Sequence, residues 1–398
     1  MVRRIFTILL AAAMVLTAAC SGGTLDARRT TVSGARNFTS CPPDARLAPL
    51  EPQDGAYFGV SLDWANDNPA DYAARLGRRP SVYVEFASFP LDRAGMDHLA
   101  QTATAVLAEK GMLLVTLEPL EGLETVTVRS AEDLARSLDG YNRQGLPTLV
   151  RFAHEMNGSW YSWSQKPVSY KKAFRAVAGA VHRLAPGSAM LWAPNYAGGY
   201  PYEGGRYGAK PGSADFVALD TDEDGRLTMA DDPYDPYYPG DEAVDWVGMS
   251  LYHWGDTYPW GENEAPEPGK FAALLTGDYR GANGDEREVP DFYDRYALGH
   301  GKPLAITETA AFFAPGGLGV DARVIKEQWW NQVFDPETAT RFPRLKMINW
   351  FEWSKHEAEV DARVDWTATR NPELASAFRQ ALPAGYRFAG DQGCIGKR

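Results

Sequence analysis

The segment Leu149-Val-Arg151-Phe-Ala-His154-Glu155-Met156-Asn157-Gly158-Ser-Trp160-Tyr161-Ser-Trp163 begins apolar and turns abruptly polar and aromatic. A strand that ends this way delivers a guanidinium, an imidazole and a carboxyl to one place. Packing alone explains so dense a cluster poorly; the structural alternative is an ion pair of Arg151 with Glu155. A second carboxyl closes another apolar run, Pro303-Leu-Ala-Ile-Thr307-Glu308-Thr309. Such a pair suits cleavage of a glycosidic bond. One carboxyl protonates the leaving oxygen, and the other attacks the anomeric carbon if the two lie about 5 Å apart. A lone Glu at a strand end is a weak signal, whereas two that each close a strand are a strong one. His154 is a poor metal ligand, since no second ligand stands at suitable spacing.

A different chemistry is written between Asp220 and Asp231, where the chain reads D-x-D-x-D-G-x-L-x-x-x-D. This fits a twelve-residue calcium loop with oxygen ligands at positions 1, 3, 5, 7 and 12. Those positions are Asp220, Asp222, Asp224, Arg226 (through its carbonyl) and Asp231. Gly225 stands where such a loop must turn sharply, and Leu227 where it is anchored. Position 12 is Asp rather than the commoner Glu, so the loop resembles dockerin repeats more than a sensor EF-hand. We expect a structural calcium ion here, against the alternative of a solvated acidic loop, and no cofactor for catalysis.

These residues need elements to hold them. From Tyr57 onward, short β-rich apolar runs alternate with helical stretches, the pattern of parallel strands covered by helices. The strand candidates are 57–62, 82–86, 112–117, 148–152, 189–193, 246–251, 304–307 and 347–351. Helical stretches lie at 92–110, 131–143, 169–184, 291–298, 320–333 and 372–382. Leu134, Leu138 and Tyr141 share one helix face. Eight such units predict an α/β fold, a (β/α)8 TIM barrel with loop insertions at its C-terminal face; an open doubly wound sheet is the alternative. Both carboxyls then stand at the barrel end where active sites are built. The Gly-, Pro-, Tyr- and Asp-rich stretch 195–243 breaks the rhythm and reads as an insertion at that face.

The chain has 398 residues, enough for one barrel of ~250 residues with enlarged loops. Its net charge of −12 argues against nucleic acid and anionic lipid headgroups as partners, while neutral sugar polymers feel no such repulsion. Twelve Trp and 19 Tyr supply flat rings on which sugars stack, although a Trp-rich core accounts for any single one of them equally well. Arg3 and Arg4 followed by the apolar run 5–16 read as a signal peptide, 1–19, too short to span a bilayer. Leu16-Thr17-Ala18-Ala19-Cys20 resembles a lipobox, with Cys20 lipidated; ordinary secretion by cleavage after Ala19 is the alternative. Residues 20–45 read as a flexible tether and 46–398 as the catalytic domain. The product is expected on the outer face of the cell membrane, attached only by its N-terminal lipid, or secreted, and acting as a monomer. Of three Cys, a lipidated Cys20 leaves Cys41 and Cys394, which bracket the domain in an oxidising compartment and are expected to form a disulfide.

The motif Arg-x-x-His-Glu-Met-Asn-Gly-x-Trp-Tyr-x-Trp resembles the acid/base motif of glycoside hydrolase family 26. Ile306-Thr-Glu308 resembles that family's nucleophile strand, Asp245-Trp-Val-Gly-Met-Ser-Leu-Tyr252-His-Trp254-Gly its sixth strand, Leu191-Trp192-Ala-Pro194-Asn195 its fifth and Trp350-Phe-Glu-Trp353 its eighth. The resemblance spans about Tyr57 to Trp366. It implies a retaining, endo-acting hydrolase of a β-linked polysaccharide working by double displacement, with Glu155 as acid/base and Glu308 as nucleophile. It also implies that Arg151 and His154 order the floor, Tyr252 holds Glu308 ionised, Trp350 or Trp353 stacks under the sugar, and Trp160, Trp163, Trp192 and Trp254 line subsites. β-1,4-Mannan is the first substrate implied, with β-1,3-1,4-glucan, β-1,3-xylan or another exopolysaccharide as alternatives. Mannan-cutting members often carry a His after the third strand; this chain has Thr116-Leu117-Glu118-Pro119-Leu120. Glu118 either faces the mouth and binds a hydroxyl or is an ordinary strand-end carboxylate. A non-catalytic carbohydrate-binding surface lipoprotein is the reading from another class; a binder has no need of both carboxyls.

Overall fold

The apolar runs become eight parallel strands: β1 Ala56–Leu62, β2 Val82–Ser88, β3 Met112–Glu118, β4 Thr148–Phe152, β5 Ser188–Trp192, β6 Trp246–Ser250, β7 Leu304–Thr309 and β8 Leu345–Glu352. Each pairs with the next, and β8 pairs with β1, from Met347 opposite Tyr57 to Glu352 opposite Leu62. The sheet is therefore closed, and the open doubly wound alternative falls. This computed structural model describes residues 39–42, 47–202, 205–256, 260–281, 284–285, 289–391 and 393–397. The expected signal peptide 1–19, Cys20 and most of the tether lie outside them.

Alternate residues of each strand fill the barrel or face the helices. Tyr57, Val84, Leu114, Leu149, Leu191, Trp246, Ala305 and Met347 form the inner core. Their neighbours in sequence join a larger layer under α1 Pro69–Leu76, α2 Arg93–Ala108, α3 Val128–Arg143, α4 Pro167–Leu184, α7 Ala322–Val333 and α9 Pro372–Ala381. The short helices α5 Ala214–Leu219, α6 Lys270–Leu275 and α8 Pro336–Arg341 decorate the connections. Helix α1 was not expected, though its ends are marked: the Asn68 side chain accepts from the Asp71 N–H, Pro69 opens the first turn, and Gly77 ends it at φ 71°. The stretch expected as a helix at 291–298 is a π-helical turn at Tyr293–Leu298.

The floor of the barrel is closed by both chain ends. The Trp246 indole N–H donates to the Pro49 carbonyl at 2.8 Å, and the Tyr57 hydroxyl to that of Leu50 at 3.2 Å. Leu50 and Ile395 join the inner core from below. Thr39–Ser40 pairs in parallel with Cys394–Ile395, and Cys41 is bonded to Cys394. The tether expected to run to residue 45 is thus tied down by residue 39. Two long connections rise from the opposite end. One, after β5, is the stretch read as an insertion; the other, between β6 and β7, is equally long and was not singled out.

Candidate active site

Strand alternation alone would point Glu308 outward with Ile306. The pairing of β7 slips between Ile306 and Glu308 against β6, and between Ile306 and Thr309 against β8. Such irregularities re-aim side chains, and here Glu308 turns into the mouth. Its Oε1 is paired with the Arg151 guanidinium, and its Oε2 accepts from the Tyr252 hydroxyl at 2.7 Å. Arg151 faces inward from β4 and is fully buried, so its charge is committed to that pair and to the Ser250 hydroxyl at 2.8 Å. The ion pair of Arg151 is therefore with Glu308 and not, as the structural alternative had it, with Glu155.

Beyond β4 the chain folds back tightly. Ala153 and Glu155 both adopt left-handed backbone, φ 47° and 53°, a conformation that costs a non-glycine residue about 1–3 kcal/mol. Backbone bonds to the neighbouring strand ends hold it: the Ala153 N–H donates to Leu117 and the Glu155 N–H to Ala193. Asn157 bridges two loops, donating to the Asn195 carbonyl and accepting from the Asn195 N–H at 2.9 and 2.8 Å. This geometry brings an oxygen of Glu155 within 4.8 Å of an oxygen of Glu308, with a ring nitrogen of His154 as close. Both oxygens of Glu308 are already engaged by Arg151 and Tyr252, which suits a held carboxylate better than a metal ligand.

The two carboxyls sit in unlike surroundings. Burial, and then the charge of Glu308, push Glu155 up to about 7, against the opposing pull of Arg151 and of hydrogen bonds from Ser250 and Trp160. The Trp160 indole N–H donates to Glu155 Oε2 at 3.1 Å. His154 is buried beside Phe86, Tyr161 and Trp163, and burial and the Arg151 charge hold its ring well below the usual histidine range, so it stays neutral. One group is thus poised to give a proton while the other is held by a cation and a hydroxyl donor. Ser250 and Tyr161 were not among the expected residues. Ser250 had a trace in the sequence, as the lone hydroxyl at the end of an apolar strand.

The expected aromatic wall divides. Trp160 is exposed, with its edge against Tyr202, and Trp254 and Trp353 are half-buried near the mouth. Trp353 stacks on Phe351, which meets Tyr252 edge-on. Three others belong to the core and are corrected accordingly. Trp192 faces outward from β5 and packs on Tyr238, Phe292 and Tyr296. Trp350 faces outward from β8 onto Trp330, Phe334 and Phe378. Trp163 is fully buried under Tyr161, and its N–H donates to the His154 carbonyl, so it supports the site from behind.

In the acidic loop, oxygens of Asp220, Asp222 and Asp224 lie within 4.8 Å of one another, and Asp220 Oδ1 is buried without a hydrogen-bond partner. Asp220 Oδ2 accepts from the Gly225 N–H, where φ is 83°. Asp231 does not join them. It is buried, and its carboxylate accepts from the backbone N–H groups of Thr221 and Thr228 at 2.6 and 2.8 Å. Position 12 here braces the loop. Arg226 donates its own N–H to Asp224. Three carboxylates and one orphaned oxygen fit a hard cation; the fifth expected ligand does not.

Residues 112–198, from β3 through the carboxyl motif to the end of β5, match the model of Glycosyl hydrolase family 26. A curated relative, Endoglucanase H of Acetivibrio thermocellus, is 22% identical over 338 residues, which cover 81% of this chain and 30% of that protein. The chain therefore spans less than a third of that relative's length. A modular endo-β-1,4-mannanase from Cellulomonas fimi shares the fold with a TM-score of 0.54 at 17% identity, covering 85% of this chain and 72% of that one. GH26C from Muricauda sp. does so with a TM-score of 0.51 at 13% identity, covering 85% and 88%. The resemblance read from the motifs thus recurs in a family model over residues 112–198, and the fold recurs in solved structures.

Proposed function

We propose that this chain is a retaining glycosidase of the family 26 type, hydrolysing a neutral β-linked polysaccharide with Glu155 as acid/base and Glu308 as nucleophile. The observation that carries this reading is the spacing and unlike environment of the two carboxyls: within 4.8 Å, one tied to Arg151 and Tyr252, the other raised to about 7. That separation suits direct attack and leaves no room for an intervening water, the condition for retention. Glu308 attacks the anomeric carbon while Glu155 protonates the departing oxygen. Once the glycosyl ester forms, the charge on Glu308 is gone. Glu155, now deprotonated, no longer feels it and draws a proton from water attacking the ester.

β-1,4-Mannan is our first choice of polymer, cut endo-wise, with mixed-linkage β-glucan second. Trp160, Trp254 and Trp353 form the stacking wall. Asp220, Asp222 and Asp224, with the Arg226 carbonyl, hold a calcium ion that stiffens the connection after β5. The chain works as a monomer, exported and held to the membrane by a lipid on Cys20 or released. The test is Glu308→Ala and Glu155→Ala, assayed on mannan, glucomannan, lichenan and xylan with product stereochemistry followed by NMR. Both variants should keep the wild-type circular dichroism and lose turnover by several orders of magnitude, and wild-type product should emerge as the β-anomer. Near-wild-type turnover in either variant, or an α-anomer, sinks the assignment.

A further inference from the structure

A third carboxyl stands in the mouth, and the mechanism does not use it. Glu118 ends β3 on the same face as Met112 and Leu114, which fill the barrel interior. Its strand pairs with β4 from Leu113 opposite Thr148 to Leu117 opposite Phe152, so it stands one strand away from Arg151. The backbone around it is fixed: the Glu118 carbonyl accepts from the N–H groups of Phe89 and Leu120, both at 2.8 Å, and the Ser162 hydroxyl ties the next carbonyl, that of Pro119, to the loop after β4. The side chain is half-buried, yet among the described residues none hydrogen-bonds or ion-pairs with its carboxyl. The charged and titratable groups that face it are Glu308, Arg151, Glu155 and Tyr161. Arg151 is already committed to Glu308 and Ser250.

A carboxyl at the rim of the mouth that no protein group engages is free to exchange its water for the hydroxyls of a ligand, and a hydrogen bond made there to a charged group is among the stronger ones. The backbone under Glu118 is fixed on a rigid strand end, and its strand parity aims the side chain into the mouth, where a ligand would meet it. We propose that Glu118 is a specificity-determining residue: it accepts hydrogen bonds from hydroxyls of the glycosyl unit seated over Glu155 and Glu308, and so selects among neutral β-linked polymers. This rests on the glycosidase reading above. Burial, then the charges of Glu308 and Glu155 opposed by Arg151, push the Glu118 carboxyl up to about 7, so its protonation is linked to that of the acid/base and each feels the other.

The test measures oligosaccharide binding by calorimetry in a Glu308→Gln background, where turnover is blocked, with and without Glu118→Ala or Glu118→Gln. The probes are mannohexaose, a mixed-linkage gluco-hexaose and a fully de-N-acetylated glucosamine hexamer. Hydrogen bonds to charged groups are worth about 1.5–3 kcal/mol, so Glu118→Ala should weaken the preferred neutral probe by about 10- to 100-fold, and Glu118→Gln by less. In otherwise wild-type enzyme, Glu118→Gln should also move the alkaline limb of kcat/KM to lower pH, because a negative neighbour of Glu155 is removed; loss of packing alone leaves that limb in place. Turnover of a neutral polymer with kcat/KM and probe binding within twofold of the parent in both variants overturns the proposal alone. Failure of the parent to bind either neutral probe, with no turnover by the wild type, overturns it together with the reading beneath it. Preferential binding of the glucosamine hexamer, abolished by Glu118→Gln, overturns it in favour of pairing with a cationic sugar.

Discussion

Glu155 is where the fold is asked to do something that water opposes, namely to keep a carboxyl protonated near neutrality. Burial and the neighbouring charge of Glu308 raise it to about 7, so the acid is present below that pH and lost above it. The rate limb follows in sign: kcat/KM should fall about tenfold per pH unit above about 7, and Glu155→Gln should abolish that limb. A kcat/KM profile on a soluble polymer from pH 4 to 10 checks this; a flat response to pH 9 means that another group supplies the proton. The two carboxyls were legible because each terminates its strand with a residue that packing does not need. The aromatic assignments were less so. Trp192 and Trp350 were read as sugar platforms, yet both face the helices. Parallel strands buried on both faces show near-continuous apolar runs, so alternation could not say which way a Trp at a strand end pointed. Nor could it place Glu308, whose direction depends on a slip in pairing that leaves no mark in the residue types.

At the scale of elements, the strands and most helices followed from apolar runs and their period, with ends displaced by up to three residues, as where α3 begins at Val128 rather than 131. Helix α1 was missed although Asn68-Pro69 and Gly77 mark both of its ends, because its eight residues are too few to show an apolar period. The acidic loop carries an unmet requirement. Asp220, Asp222 and Asp224 converge, like charges repel, and Asp220 Oδ1 is orphaned. A cation that binds only the folded loop stabilises the protein by about 2.7 kcal/mol at a hundredfold excess over its dissociation constant. We therefore expect calcium to raise the melting temperature of chelator-treated protein, and Asp222→Ala to remove the increment while leaving turnover measurable. An unchanged melting temperature on adding calcium removes the ion. The regular spacing of acidic residues was readable; the withdrawal of Asp231 was not, since it arises from Thr221 and Thr228 presenting their N–H groups to it.

For the molecule as a whole, chemistry and closure stand at opposite ends of one barrel. The carboxyls rise from the C-terminal ends of β4 and β7. At the other end Pro49 and Leu50 cap Trp246 and Tyr57, and Thr39–Ser40 pairs with Cys394–Ile395 beside the disulfide. The bond joins positions 353 residues apart, so it restrains almost the entire unfolded chain. Loop-closure entropy grows only slowly with length, and losing such a bond costs typically about 2–5 kcal/mol. Pairing of the two Cys was legible from their count and compartment. The floor they fasten was not, because residues 39–45 read as tether and nothing in 46–52 shows that they plug the barrel until Trp246 and Tyr57 are seen to donate to the Pro49 and Leu50 carbonyls. Separation of the two ends makes a sharp expectation. Replacing Cys41 and Cys394 together by Ser should lower the midpoint of chemical denaturation by that amount and leave kcat and KM at 25 °C within twofold. Equilibrium unfolding and steady-state kinetics on the same preparation decide it: unchanged stability would mean that the floor holds without the bond, and a loss of turnover in the folded variant would mean that strain at the floor reaches Glu155 and Glu308 through the strands themselves.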